Sequence, residues 1–281
     1  MGFKSVFIPD YSVYSILTKK IEDNAVQFYK SDYKYLNEVF KNSQINSSDV
    51  IKMLELNNLI DVLLKFENEI YSEEINKNMK AHGQRHILDV LLYSIIIGES
   101  LLNEHDLNLL LIAAKYHDVG RTEENEQEHA YFSSIIARER LSNIISKEDL
   151  NIVATAIEFH EIHRKSLNEE RVFSLIAIKN GIDSKQLEKT RKISEILKDA
   201  DALDRTRFVN SARLDNRFLK FDISKRLIKL SANIQETYAL EDLKMYDFNQ
   251  ELFKYYTPQE ILRKIRKNEF YTQNFEKRNI K

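Results

Sequence analysis

No proline lies between Pro9 and Pro258, and the whole chain of 281 residues holds five glycines. Strands that return on one another need turns, and turns draw on glycine for positive φ and on proline for a fixed one. Helices joined by short polar loops need few of either. An all-α fold is therefore predicted, with sheet architectures disfavoured from the start.

Apolar spacing places the helices. Asp10 would cap a helix over 11–29, followed by an element over 32–41. Ser47, Ser48 and Asp49 form an N-terminal signal for a helix running to about residue 66, with Val50, Met53, Leu54, Leu59 and Leu63 inward. Further helices are predicted over 86–102, from Asp106 to a stop at Gly120, and over 129–141, 147–163 and 171–179. Ser184 would cap a long helix reaching Arg207, with Leu187 on its inner face. Two more, over 223–246 and 258–270, complete the chain, with Pro258 near the start of the last. The predicted organisation is an N-terminal helical extension over 1–79, a central unit over 80–210, and C-terminal helices over 211–281.

Composition narrows the classes of function. Hydrophobic residues at 43% and charged residues at 31% describe a globular chain, and a net charge of −2 gives no reason to expect a polyanionic partner. Without cysteine there is no disulfide, thiolate nucleophile or thiolate ligand, which fits a reducing cytosol. The N-terminus lacks the apolar stretch of a secretory signal, and Val6 stands where a myristoylation motif needs Ser or Thr. Asp89, Ser94, Gly98 and Glu99 interrupt the most apolar run. A cytoplasmic protein, with no membrane partner, is expected. No Gly-rich phosphate loop or nucleophile elbow is present, which leaves kinase and serine-hydrolase readings without support. The basic and aromatic tail RKIRKNEFYTQNFEKR reads as a solvated amphipathic helix in preference to a single-strand nucleic-acid surface.

All seven histidines fall between His82 and His163. Core-filling histidines would scatter. Four fragments carry the cluster: HGQRH (82–86), KYHDVGR (115–121), AIEFHEIH (156–163) and KDADALDR (198–205). Divalent metals of intermediate softness take imidazole and carboxylate together, so the inventory reads first as a metal centre. His86, His117, Asp118 and Asp201 would hold one divalent cation and leave positions for water and a phosphate oxygen.

The ordered set HGQRHILDVLL, LIAAKYHDVGR and ILKDADALDR resembles the HD-domain superfamily of metal-dependent phosphohydrolases, over about residues 80–210. The resemblance implies a bundle of antiparallel helices, with His86, His117, Asp118 and Asp201 as ligands. EHAYFSS is similar to the family's short histidine motif. His129 and His160 then have two readings, phosphate contact or proton transfer on the one hand and ligation of a second metal on the other. The implied activity is hydrolysis of a phosphomonoester or phosphodiester, of nucleotide type, by metal-activated water. The implied catalytic residues are Asp118, His129, His160, Arg121 and Arg205, the two arginines as phosphate clamps. Mn, Mg, Fe, Ni, Co and Zn are not distinguished. The resemblance extends to HD-type di-iron oxygenases and leaves open a non-catalytic nucleotide-binding module. His82 and His163 are expected as supporting hydrogen-bonding groups or direct participants, and Asp199 and Asp204 as anchors behind the ligands. Arg85, Lys198 and Arg207 have a phosphate reading and a salt-bridge reading, and His105 is expected at the surface. Neither substrate identity nor oligomeric state, a homo-oligomer included, can be read from the chain.

Overall fold

The computed structural model describes residues 13–18, 44–77, 82–122, 126–162, 168–208, 214–248 and 250–267. The predicted element over 32–41, most of that over 11–29, His163 and the end of the basic tail lie outside them. Among the described residues every regular element is helical, so the chain is all-α. No helix among them is long and apolar enough to cross a membrane.

The centre of the molecule is α4 (Gln84–Leu101), following α1 (Val13–Thr18), α2 (Ser47–Leu56) and α3 (Ile60–Ser72). From His86 to Gly98 every residue of α4 is buried, an all-round burial that marks a core helix. Against it pack α5 (Glu104–Tyr116) and α9 (Leu187–Asp204); α7 (Lys147–His160) packs on both of these, and α6 (His129–Leu141) packs on α7. Gly98 lets α5 approach, since a Cβ there would stand 2.7 Å from Leu107 Cδ1. The sequence continues through α8 (Glu169–Lys179), α10 (Asp222–Arg226), α11 (Ile228–Leu243) and α12 (Pro258–Arg266). One hydrophobic core joins Val13 in α1 to Tyr238 in α11, and thus draws on all three predicted segments. A small second cluster, Ala239, Leu243, Ile261, Leu262 and Ile265, fastens α12 to α11.

Several predicted boundaries need correction. The helix expected from 47 to about 66 is two helices, because Asn58 takes a left-handed conformation (φ 55°). Leu59 N–H donates to Leu54 O at 2.8 Å and Asn58 N–H to Glu55 O, the bonding that closes a helix C-terminus. Asn46, not Ser47, caps α2, with Asp49 completing a capping box. The helix predicted over 223–246 likewise divides into α10 and α11 at Leu227. Ser184 does not cap α9; Asp183 accepts from the amides of Lys185 and Gln186 instead. Leu187, predicted inward, is exposed. α9 stops at Asp204, and residues Arg205–Arg207 form a 3₁₀ turn, η1. Pro258 opens α12 as expected, behind a Thr257–Glu260 capping box.

Candidate metal centre

Five helices bring their donors together. His86 comes from the first turn of α4, His117 and Asp118 from the C-terminal end of α5, and His129 from the start of α6. His160 ends α7, and Asp201 lies in the last turn of α9. His86, His117, Asp118, His129 and His160 are buried, whereas Asp201 keeps 31% of its side chain exposed.

The tight turn after α5 is fastened from two sides. Gly120 N–H donates to Ser133 Oγ at 2.9 Å, and a Cβ on Gly120 would meet the Ser133 amide nitrogen at 2.5 Å, so only glycine allows α6 this close. Asn76, at φ 50°, donates from its side-chain amide to the carbonyls of His82 (2.8 Å) and Asp118 (3.0 Å). Sequence reasoning missed this role for Asn76, because its partners are backbone atoms.

Each buried imidazole is held by its Nδ1. His117 Nδ1 lies 2.8 Å from Ala114 O, His129 Nδ1 2.8 Å from Glu126 O, and His160 Nδ1 2.6 Å from Ile157 O. A carbonyl only accepts, so these nitrogens carry the proton and the three Nε2 atoms present lone pairs inward. His86 follows the same rule with a carboxylate, its Nδ1 standing 2.6 Å from Asp204 Oδ2. Metal-binding histidines are oriented in this way.

The inward atoms stand at coordination spacing. His86 Nε2 is 3.0 Å from His117 Nε2, 3.3 Å from Asp118 Oδ2 and 3.4 Å from Asp201 Oδ1. Two ligands about 2.1 Å from one cation lie roughly 3.0–3.4 Å apart at right or tetrahedral angles. On the other side of the carboxylate, Asp118 Oδ1 is 3.2 Å from His129 Nε2 and 3.6 Å from His160 Nε2, which are 3.3 Å from each other. Asp118 Oδ1 is buried without a hydrogen-bond partner, an orphaned acceptor suited to a cation. The donor set thus fits a divalent metal, and three trios of donors lie within 4.8 Å of one another: His82/His86/Asp118, His86/His117/Asp201 and His117/Asp118/His160.

Charge follows the same geometry. Burial, seconded by His86 and His160, pushes His117 down to about 3, leaving it a neutral donor. Burial works against ionisation of Asp201, yet the surrounding histidines bring it down to about 2, and Asp118 lies well below the usual carboxylate range. His86 moves the other way. Burial and Arg207 press it down, but hydrogen bonds to Asp118 and Asp204 raise it from 6.5 to about 9. A raised imidazole contributes stability that is full below 6.5 and is lost as the pH climbs through about 9. The metal-free protein is therefore expected to lose melting temperature between these two values. Saturating metal, which requires unprotonated Nε2, should flatten that loss. A metal-free melting temperature constant across the window would contradict this charge state.

The other residues singled out in the sequence separate clearly. Arg121 belongs to the site, with Nε 3.3 Å from Asp118 Oδ2, Nη2 2.7 Å from His129 Nε2, and a pair to Glu126. His82 Nδ1 is 2.8 Å from Asp118 Oδ2. Asp204 stands behind His86, but Asp199 accepts from the amides of Lys220 and Phe221 and belongs to the fold. Arg205 is exposed, and it is Arg207 that reaches Asp204. The tighter 3₁₀ turn changes which side chain faces inward. Arg85 pairs with Asp242, and buried Lys198 with Glu169. His105 is at the surface, bonded to Asp149. Two residues unforeseen in the sequence complete the setting. Gln235 of α11 donates to both Asp204 Oδ1 and Asp89 Oδ2 at 2.7 Å, and Tyr238 donates to Asp89.

A helical bundle closing His and Asp donors around one carboxylate defines a class of metal-binding helical domains. Residues 83–206 match the family model of the HD domain, consistent with the HD-domain superfamily. HD domains are generally metal-dependent hydrolases. Comparisons with curated proteins and with solved structures returned no match.

Proposed function

We propose that the protein is a metal-dependent phosphohydrolase, cleaving a phosphomonoester or phosphodiester of a nucleotide or similar small metabolite. The observation that carries this reading is the Asp118 carboxylate, whose two oxygens face different imidazole pairs at coordination spacing. His86, His117, Asp118 and Asp201 would hold one cation. His129 and His160, with Asp118 Oδ1, would hold a second. Bound metal supplies a water acidified toward neutrality and positive charge for the phosphoryl oxygens.

The chain's own groups do the rest. Asp118 bridges the two donor sets and takes a hydrogen bond from His82, which fixes its plane. Asp201, the most exposed of the ligands, marks the side from which substrate enters. Arg121 donates to His129 in this structure; a cation at that nitrogen would release the guanidinium to clamp a phosphoryl oxygen. Burial of the remaining donors keeps the site dry, where charge stabilisation is strongest.

The test is hydrolysis of a model phosphomonoester and a model phosphodiester with manganese, magnesium, iron, nickel, cobalt or zinc, using Asp118→Ala as control. Metal-dependent turnover lost in the variant would establish the activity, and the preferred ester would define phosphatase or phosphodiesterase. Two donor sets sharing a carboxylate also suit a di-iron oxygenase. Oxygen consumption by the iron-loaded protein, with neither ester cleaved, would replace the hydrolase reading.

A further inference from the structure

We propose a second binding site, for a phosphate-bearing small molecule of nucleotide size, in the cleft between α4, η1, α11 and α12. The cleft has a volume of about 610 Å³, within the range of roughly 300–1,000 Å³ usual for small-ligand sites. It is not the mouth of the metal centre. His86 and Asp204 line it, but His117, Asp118, His129, His160 and Asp201 do not. It therefore lies on the side of His86 where Nδ1 meets Asp204, away from the inward Nε2.

The lining is cationic. Arg85, Arg207, Arg263, Arg266 and Lys267 face three carboxylates, Asp89, Asp204 and Asp242. Asp242 is shared by two guanidiniums, at 3.0 Å from Arg85 and 3.0 Å from Arg266. Among the described residues no carboxylate pairs with Arg263 or Lys267. Deeper in, Arg207 Nε is buried with no hydrogen-bond partner while its Nη1 pairs with Asp204. An unmet guanidinium N–H at the floor and unpaired cations at the rim call for an anion with several oxygens, and guanidinium forks match phosphate. Two aromatic rings flank the same cations, Phe208 with Arg207 4.2 Å from its centroid and Tyr238 with Arg85 at 4.8 Å. The phosphate would therefore carry an organic group that packs beside these rings, as a nucleoside does.

The cleft is built from η1, α11 and α12 as much as from α4, and α11 and α12 lie beyond the HD match at 83–206. The site is independent of whether the metal centre hydrolyses anything. Its test is titration calorimetry of AMP into the full chain, with metal removed by chelator and adenosine as the comparison. One AMP per chain is expected, with adenosine bound far more weakly. The exposed double substitution Arg263→Glu/Lys267→Glu should weaken AMP by about tenfold or more, and Asp118→Ala should leave it unchanged. Three results would overturn the site: no saturable AMP binding, adenosine binding as tightly as AMP, or loss of binding in Asp118→Ala with the charge-reversed protein unaffected. Because the measurement needs neither metal nor turnover, its failure is separable from failure of the hydrolase reading.

Discussion

Asp118→Ala is expected to abolish metal-dependent turnover and to strip the protein of bound metal, while the helical circular dichroism stays intact. Asp118 approaches all four buried imidazoles, His86 and His117 on one side and His129 and His160 on the other. Its loss removes a ligand from each set together with the negative charge that offsets two cations. The fall in rate should exceed the roughly 10²–10³-fold that removal of one electrostatic donor costs in other enzymes. The fold should survive, because the turn is held through backbone atoms: Asn76 to Asp118 O, and Gly120 N–H to Ser133. Metal analysis and hydrolysis on the same preparation check both halves. Wild-type metal content in the variant would show that Asp118 is no ligand.

The second large effect is on stoichiometry. His160→Ala, and separately His129→Ala, should lower the bound metal from two ions per chain to one and reduce hydrolysis by on the order of 100-fold or more, since a two-metal site stabilises both attacking and leaving oxygens. His86→Ala should instead impair the first ion. One ion per chain in the wild-type protein, unchanged by His160→Ala, would give His129 and His160 the phosphate-contact or proton-transfer role instead. In that case Arg121 keeps its bond to His129 Nε2 throughout. Elemental analysis of the wild-type protein and the three variants is sufficient.

Most of the architecture was legible because it follows from what the chain lacks. With so few glycines and prolines, helices were the available solution, and where a helix had to end the chain used Asn58 and Glu74 in left-handed backbone as well as Gly181. That substitution is also why the break after Leu56 was missed. Apolar spacing continued across it, and asparagine is a weaker punctuation mark than glycine. The cluster of imidazoles and carboxylates was legible because imidazole beside carboxylate is unusual chemistry and the order of the motifs is informative. Gln235, Tyr238 and Asn76 were not, since an uncharged polar residue at a helical position looks the same whether it meets solvent or a buried aspartate. Which of Arg205 and Arg207 turns toward Asp204 was not legible. Counting at 3.6 residues per turn does not survive the change to a 3₁₀ turn at Asp204.

Gln235 has a wider meaning. Asp204 holds His86 in place, and Gln235, from a helix beyond the family match, holds Asp204. Around them one core runs on without a seam to Tyr238. The stretch that matches a family model is thus shorter than the stretch that must fold together for the candidate metal donors to be aligned. A gene fragment trimmed to the borders of that match would encode the candidate donors and still lack the amide that, through Asp204, keeps His86 in register.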